Sequence, residues 1–300
     1  MTETFSVTLP HGITLSCRAA GERGRPVLMF LHGFPQAAFI WDDLLAHFSQ
    51  PAHGGYRCIA PNLRGYEKSS APADVRDYRA KYLAQDVAAL IASQTDGAPV
   101  AALVAHDWGG AVAWSVANQH PQCLERLVII NSPHPGTFLR ELRNNPRQQA
   151  ASAYMNFLVR PDVEALLAAD DYQRLWPFFT GSQGAPWLTE DMKSSLRAVW
   201  RSGAGLVGGC NYYRASPLRP ATPADPAAAA IELPDAMLTV ERPTLVLWAM
   251  DDVALLPELV EGLDAWVPDL TLVRIPGASH WVIHEQPALV TAHLQAFLAR

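Results

Sequence analysis

Residues 99 to 110 read PVAALVAHDWGG, an apolar run that ends at Asp107 and passes through Trp108, Gly109 and Gly110 into the helically spaced AVAWSVANQH at 111–120. An ionisable side chain at the mouth of a buried strand has two readings. Asp107 can cap the following helix, accepting from its first free amides. Alternatively, a sharp strand-to-helix turn, made possible by the small residues beside it, lifts the side chain into a pocket as a nucleophile. A carboxylate is already anionic, so it can attack an sp3 carbon without a base and form an alkyl ester. That chemistry suits strained ethers or carbon–halogen bonds rather than amides.

Working outward from this strand, apolar β-branched runs alternate with helical periodicity at both ends of the chain. The strand-like runs are FSVTLP, ITLSCRAAG, PVLMFLHG, YRCIAPNL, VAALVAHD, RLVIINS, PTLVLWAMDD and LTLVRIPGASH. Helical spacing marks KYLAQDVAALIASQ, AVAWSVANQH, PELVEGLDAWV and PALVTAHLQAFLAR. The alternation predicts an α/β fold, a mostly parallel eight-stranded sheet flanked by helices. The rhythm stops after Pro135 and resumes near Pro243. Between them lie helical pieces such as PDVEALLAADDYQRLW and EDMKSSLRAVWRS, rich in aromatics and arginine, and the loop-like PATPADPAAAA. The reading is a core of residues 1–135 and 241–300 with a helical lid at 136–240, which would keep water from whatever lies beneath it.

Composition narrows the partners. The chain has 300 residues, 49% of them hydrophobic, and a formal charge of −6 with no lysine or arginine stripe. Neither a nucleic-acid face nor a membrane-surface helix is suggested, and a small molecule is the expected partner. No cationic start precedes an apolar segment, and no run reaches the about 18 apolar residues of a span, so the expectation is a cytoplasmic protein. Cys17, Cys58, Cys123 and Cys210 form no CxxC pair, which argues against a zinc site or disulfide frame.

Together with HGFP at 32–35 and a late Asp and His, the HDWGG segment resembles the α/β-hydrolase fold family, and specifically its epoxide hydrolase branch. The likeness runs through GYRCIAPNLRGYEKSSAP at 55–72, INSPHP at 130–135, NYYR at 211–214 and LVLWAMDDVALLPE at 245–258, in family order. The resemblance implies Asp107 as nucleophile, His280 as the base that activates water, and Asp252 rather than its neighbour Asp251 as the acid orienting that base. His284 is the less favoured base and His32 reads as structural. The backbone amides of Phe34 and Trp108 are implied as oxyanion donors. Two lid tyrosines are implied as proton donors to the opening epoxide: Tyr213, with Tyr212 the near alternative, and Tyr154, with Tyr172 the weaker one. Phe34, Trp108, Met155, Trp176 and Trp187 are expected to make an apolar substrate pocket. No metal or organic cofactor is implied, because carboxylate and water carry both half-reactions.

The expected reaction is therefore conversion of an epoxide to a vicinal diol through an Asp107 ester. Haloalkane dehalogenation uses the same nucleophile, acid and base, but a departing halide calls for side-chain N–H donors. Trp108 could be one, whereas Phe34 stands where an Asn would be the second, and the tyrosines would have no role. A haloacid dehalogenase would need arginines near the nucleophile. A ligand receptor on the same fold is the non-enzymatic alternative, against which stand three filled catalytic positions.

Overall fold

A computed structural model describes residues 2–180 and 184–300. All eight strand-like runs form strands: β1 Glu3–Thr8, β2 Thr14–Ala20, β3 Val27–Leu31, β4 Arg57–Pro61, β5 Ala102–His106, β6 Leu127–Ile130, β7 Thr244–Ala249 and β8 Leu270–Ile275. They join one sheet in the order β1-β2-β4-β3-β5-β6-β7-β8, antiparallel where β2 meets β1 and β4 and parallel elsewhere. The helices are α1 Asp42–Phe48, α2 Ala80–Thr95, α3 Trp108–Gln119, α4 Pro135–Asn144, α5 Pro146–Ala151, α6 Tyr154–Leu158, α7 Val163–Tyr172, α8 Pro177–Thr180, α9 Glu190–Arg201, α10 Leu206–Ala215, α11 Val282–Glu285 and α12 Pro287–Leu298.

The central strands are continuous apolar runs because both of their faces are covered. Alternate residues supply two cores. Met29, Leu31, Leu103 and Ile129 face Val87 of α2 and Val112 and Val116 of α3. Phe30, Val104, Val128 and Leu247 face Leu45 and Phe48 of α1 and Leu294 of α12. A one-residue register slip would exchange the two sets.

Helices α4 to α10 fill the interval between β6 and β7. Their apolar side chains, including Leu158, Leu167, Leu196 and Trp200, belong to the first of the two cores. Polar ties fix the insertion to the sheet loops. Trp200 Nε1 donates to the Pro35 carbonyl at 2.7 Å, Tyr212 Oη to the Arg64 carbonyl at 2.9 Å, and Trp281 Nε1 to the Phe178 carbonyl at 2.9 Å. Arg64 is itself buried and paired with Asp86 through two hydrogen bonds.

Two local expectations need correction. The spacing in 257–267 predicts one helix, but the segment makes two short 3-10 turns, Pro257–Val260 and Leu263–Ala265. Gly262 stands between them at φ +70, outside helical conformation. The helix begun at Val163 loses helical backbone at Ala169, Asp170 and Asp171, where the latter two adopt positive φ. No helix among the described residues is long and apolar enough to cross a membrane.

Helix α3 lies against β6 where Gly110 meets Ser132, and a Cβ at Gly110 would stand 2.3 Å from Ser132 Cβ. Gly110→Ala is predicted to cost about 1–3 kcal/mol through overpacking and to lower the Tm in calorimetry. An unchanged Tm would mean that helix and strand can separate there freely.

Candidate active site

The site forms where β5 ends. Asp107 adopts φ 53 and ψ −126, a conformation costly for a residue with a side chain, and α3 starts at the next residue. Its carboxylate makes no capping hydrogen bond to that helix, so the helix-cap reading does not describe it. Instead Oδ1 accepts from the Phe34 backbone N–H at 2.6 Å. The close approach needs Gly33: a Cβ there would lie 2.1 Å from Asp107 Oδ1. Ser132 Oγ donates to the Asp107 main-chain carbonyl at 2.7 Å, which ties the strained turn to the end of β6.

The loops after β7 and β8 bring two further side chains to the carboxylate. His280 Nε2 stands 3.5 Å from Asp107 Oδ2, and His280 Nδ1 lies 2.7 Å from Asp252 Oδ2. Asp252 is 3% exposed, and its remaining lone pairs are filled by the Ala254 and Leu255 amides and by Asn131 Nδ2 at 3.0 Å. The amide of Asn131 also fixes β7, because its Oδ1 accepts from the Ala249 N–H. A buried carboxylate with this many donors is an anion held in place, suited to orient an imidazole. Asp251, by contrast, is exposed at the rim.

The charges reinforce one another. Burial disfavours an imidazolium at His280, but the charge of Asp252 and the hydrogen bonds to Asp107 and Asp252 outweigh it and raise its pKa to about 10. Burial would likewise raise Asp107, yet the hydrogen bond and charge of His280 hold its carboxyl below the ordinary aspartate value. The Trp108 amide also favours that charged carboxylate. The two carboxylates thus stabilise the imidazolium form of His280.

A cavity of about 710 Å³ opens above Asp107 and His280, walled by Phe34, Tyr154, Tyr213 and Trp187 among others. Both tyrosines come from the insertion between β6 and β7 and sit with ring centres 6.1 Å apart. Burial raises both phenol pKa values, helped by the negative charge of Asp107. Both remain protonated donors at neutral pH. Tyr212, one residue away on α10, points to the Arg64 carbonyl, and Tyr172 packs on Trp200 at 4.9 Å between ring centres. Neither lines the cavity.

Three of the five expected pocket residues lie elsewhere. The Trp108 side chain borders a second cavity beside Tyr212. Met155 is buried in the core at 4% exposure, and Trp176 packs against Trp200 with its Nε1 on the Asp171 carbonyl. Phe34 and Trp187 do line the cavity, together with Phe178, Phe179 and Trp281, which the sequence reading did not single out. His284 also lines it, but it stacks on Trp187 and its Nε2 lies 2.8 Å from Gln36 Nε2, away from Asp252. His32 is fully buried and accepts from the Leu63 N–H, a structural part. Asn131 and Ser132 were missed as site residues. Their only signal was two polar residues directly after the apolar LVII of β6.

The chain belongs to the α/β-hydrolase fold family, whose pattern it matches over residues 26–287. It is 33% identical over 289 residues to the AB hydrolase superfamily protein YfhM of Bacillus subtilis, covering 96% of this chain and 95% of that protein. It is 32% identical to epoxide hydrolase 4 of Mus musculus, covering 96% of this chain and 77% of that one. The structure is similar to that of Bacillus megaterium epoxide hydrolase in complex with an inhibitor, with TM-score 0.85, 27% identity, and coverage of 99% and 100% of the two chains.

The electrostatics give a test. Asp107→Asn removes one of the two anions that hold the His280 proton, so the His280 pKa is predicted to fall from its raised value. Deprotonation then occurs at lower pH, which an NMR titration of the imidazole reads. An unmoved pKa would mean that Asp252 alone holds the proton.

Proposed function

We propose that the protein is an epoxide hydrolase that converts epoxides to vicinal diols. The observation that carries this reading is the common cavity: the Asp107 carboxylate, an imidazole paired with Asp252, and two protonated phenols on the opposite wall. The relatives named epoxide hydrolase support it.

In the proposed reaction, Tyr154 and Tyr213 hydrogen-bond the ring oxygen of the bound epoxide. A carboxylate oxygen of Asp107 attacks one ring carbon, the carbon–oxygen bond opens, and a phenol proton passes to the alkoxide. The product of this step is an ester of Asp107. Ester formation removes the negative charge of Asp107, so His280 gives up its proton, which passes through water to the phenolate left by ring opening. The neutral imidazole then takes a proton from water, and the hydroxide attacks the ester carbonyl. The Phe34 and Trp108 amides receive the resulting oxyanion, and its collapse, with the carboxyl proton passing to the departing alkoxide, frees the diol and restores the carboxylate. Asp252 stabilises the imidazolium throughout. Residues 136–240 act as a lid in this scheme, supplying the phenols and excluding bulk water from the ester.

Scoring diol from styrene oxide together with halide from haloalkanes tests the reading. Diol without halide is expected; halide release with no diol from any of a range of epoxides would overturn it. Loss of one phenol donor to the developing alkoxide is predicted to slow alkylation about 10–100-fold, the worth of a hydrogen bond to a charged group. Tyr213→Phe and Tyr154→Phe should each show this in pre-steady-state kinetics, and the double variant should be nearly inactive. Tyr172→Phe should match the wild type.

A further inference from the structure

The cavity above Asp107 is lined by charges of almost one sign. Four carboxylates border it, those of Asp107, Asp252, Asp251 and Glu285, and no lysine or arginine does among the described residues. The cation that answers them is His280, already engaged by the inner two. His284 contributes no charge, since burial pushes it down to about 3.

The outer two residues are positioned by neutral groups. Asp251 is exposed and held at the rim by its N–H, which donates to the Ala278 carbonyl at 3.0 Å. Glu285 accepts from the Ser279 N–H at 2.7 Å and the Ser279 Oγ at 2.6 Å, neutral donors that position the carboxylate without neutralising it. Behind this rim the walls are aromatic. Phe179 and Trp281 stand 4.6 Å apart between ring centres, Trp187 and Trp281 5.9 Å, and Phe34 and Phe178 6.4 Å. Aromatic faces are electronegative and pack well against other rings. An anion entering such a space would lose its hydration, meet like charge at the rim and find no free cation inside.

We propose that this cavity accepts uncharged aryl epoxides and excludes epoxides bearing a carboxylate beside the ring. The proposal rests on the epoxide reading for its reaction and on the wall chemistry for its selectivity.

The test compares 3-phenylglycidamide with 3-phenylglycidate, which have nearly the same shape and differ in charge. At low ionic strength kcat/KM for the amide is expected to exceed that for the carboxylate by at least about 100-fold, the scale of an unpaired buried charge. In Asp251→Lys the carboxylate-to-amide ratio should rise by about threefold to fivefold, as one exposed charge pair permits. Values for the two substrates within about threefold of each other in the wild type would overturn the proposal, since such a gap is below that expected of one unpaired buried charge.

A binding arm keeps the two readings apart: quenching of tryptophan fluorescence, with Trp187 and Trp281 in the cavity wall, by phenylacetamide and by phenylacetate. If neither epoxide is turned over but only the amide binds, the epoxide reading fails while exclusion of anions stands. If both ligands bind alike, exclusion fails whatever the reaction.

Discussion

The backbone of Asp107 is the constraint on which the rest of the site depends. A non-glycine residue at φ 53 persists only where its surroundings over-determine it. Here β5 delivers it from one side and α3 takes the chain away on the other. The Phe34 amide holds its carboxylate, Ser132 holds its carbonyl, and two glycines let the neighbouring segments close in. The strain turns the carboxylate away from its own helix and into the cavity. A relaxed backbone would leave Asp107 to cap α3, and the imidazole and phenols would face nothing reactive.

The second constraint is electrostatic. Two carboxylates and an imidazole share a region largely removed from water, where each unpaired charge would be costly. Asp252 answers this with a full set of donors, so its charge is permanent. Asp107 has fewer partners, and its charge is the one that ester formation would remove. In the proposed cycle the stable anion orients the base and the dispensable one performs the attack. The different hydrogen bonding of two residues of the same type assigns their parts.

Much of this was legible in the sequence because it follows from periodicity and from strand ends. The central strands are continuous apolar runs, and Asp107, Asp252 and His280 each stand at the carboxyl end of a strand or in the loop just beyond. What was not legible depends on packing direction. Tyr212 and Tyr213 are adjacent on α10 and therefore point in different directions, one to the Arg64 carbonyl and one into the cavity. Trp108 shares this fate: its neighbour Asp107 faces one cavity and its own indole another. Aromatic content in 136–240 suggested pocket walls, yet Met155 and Trp176 serve the packing of the insertion itself. The polar support from Asn131 escaped notice because an Asn after a strand ordinarily reads as a turn.

The proposed reaction requires that Asp107 become covalently attached to the substrate. The most direct measurement is a single turnover of excess enzyme with styrene oxide in heavy-oxygen water, followed by peptide mass spectrometry. The oxygen delivered to the diol is predicted to come from the Asp107 carboxylate, with solvent label appearing in the Asp107 peptide. Label placed directly in the diol, with the Asp107 peptide unlabelled, would contradict it.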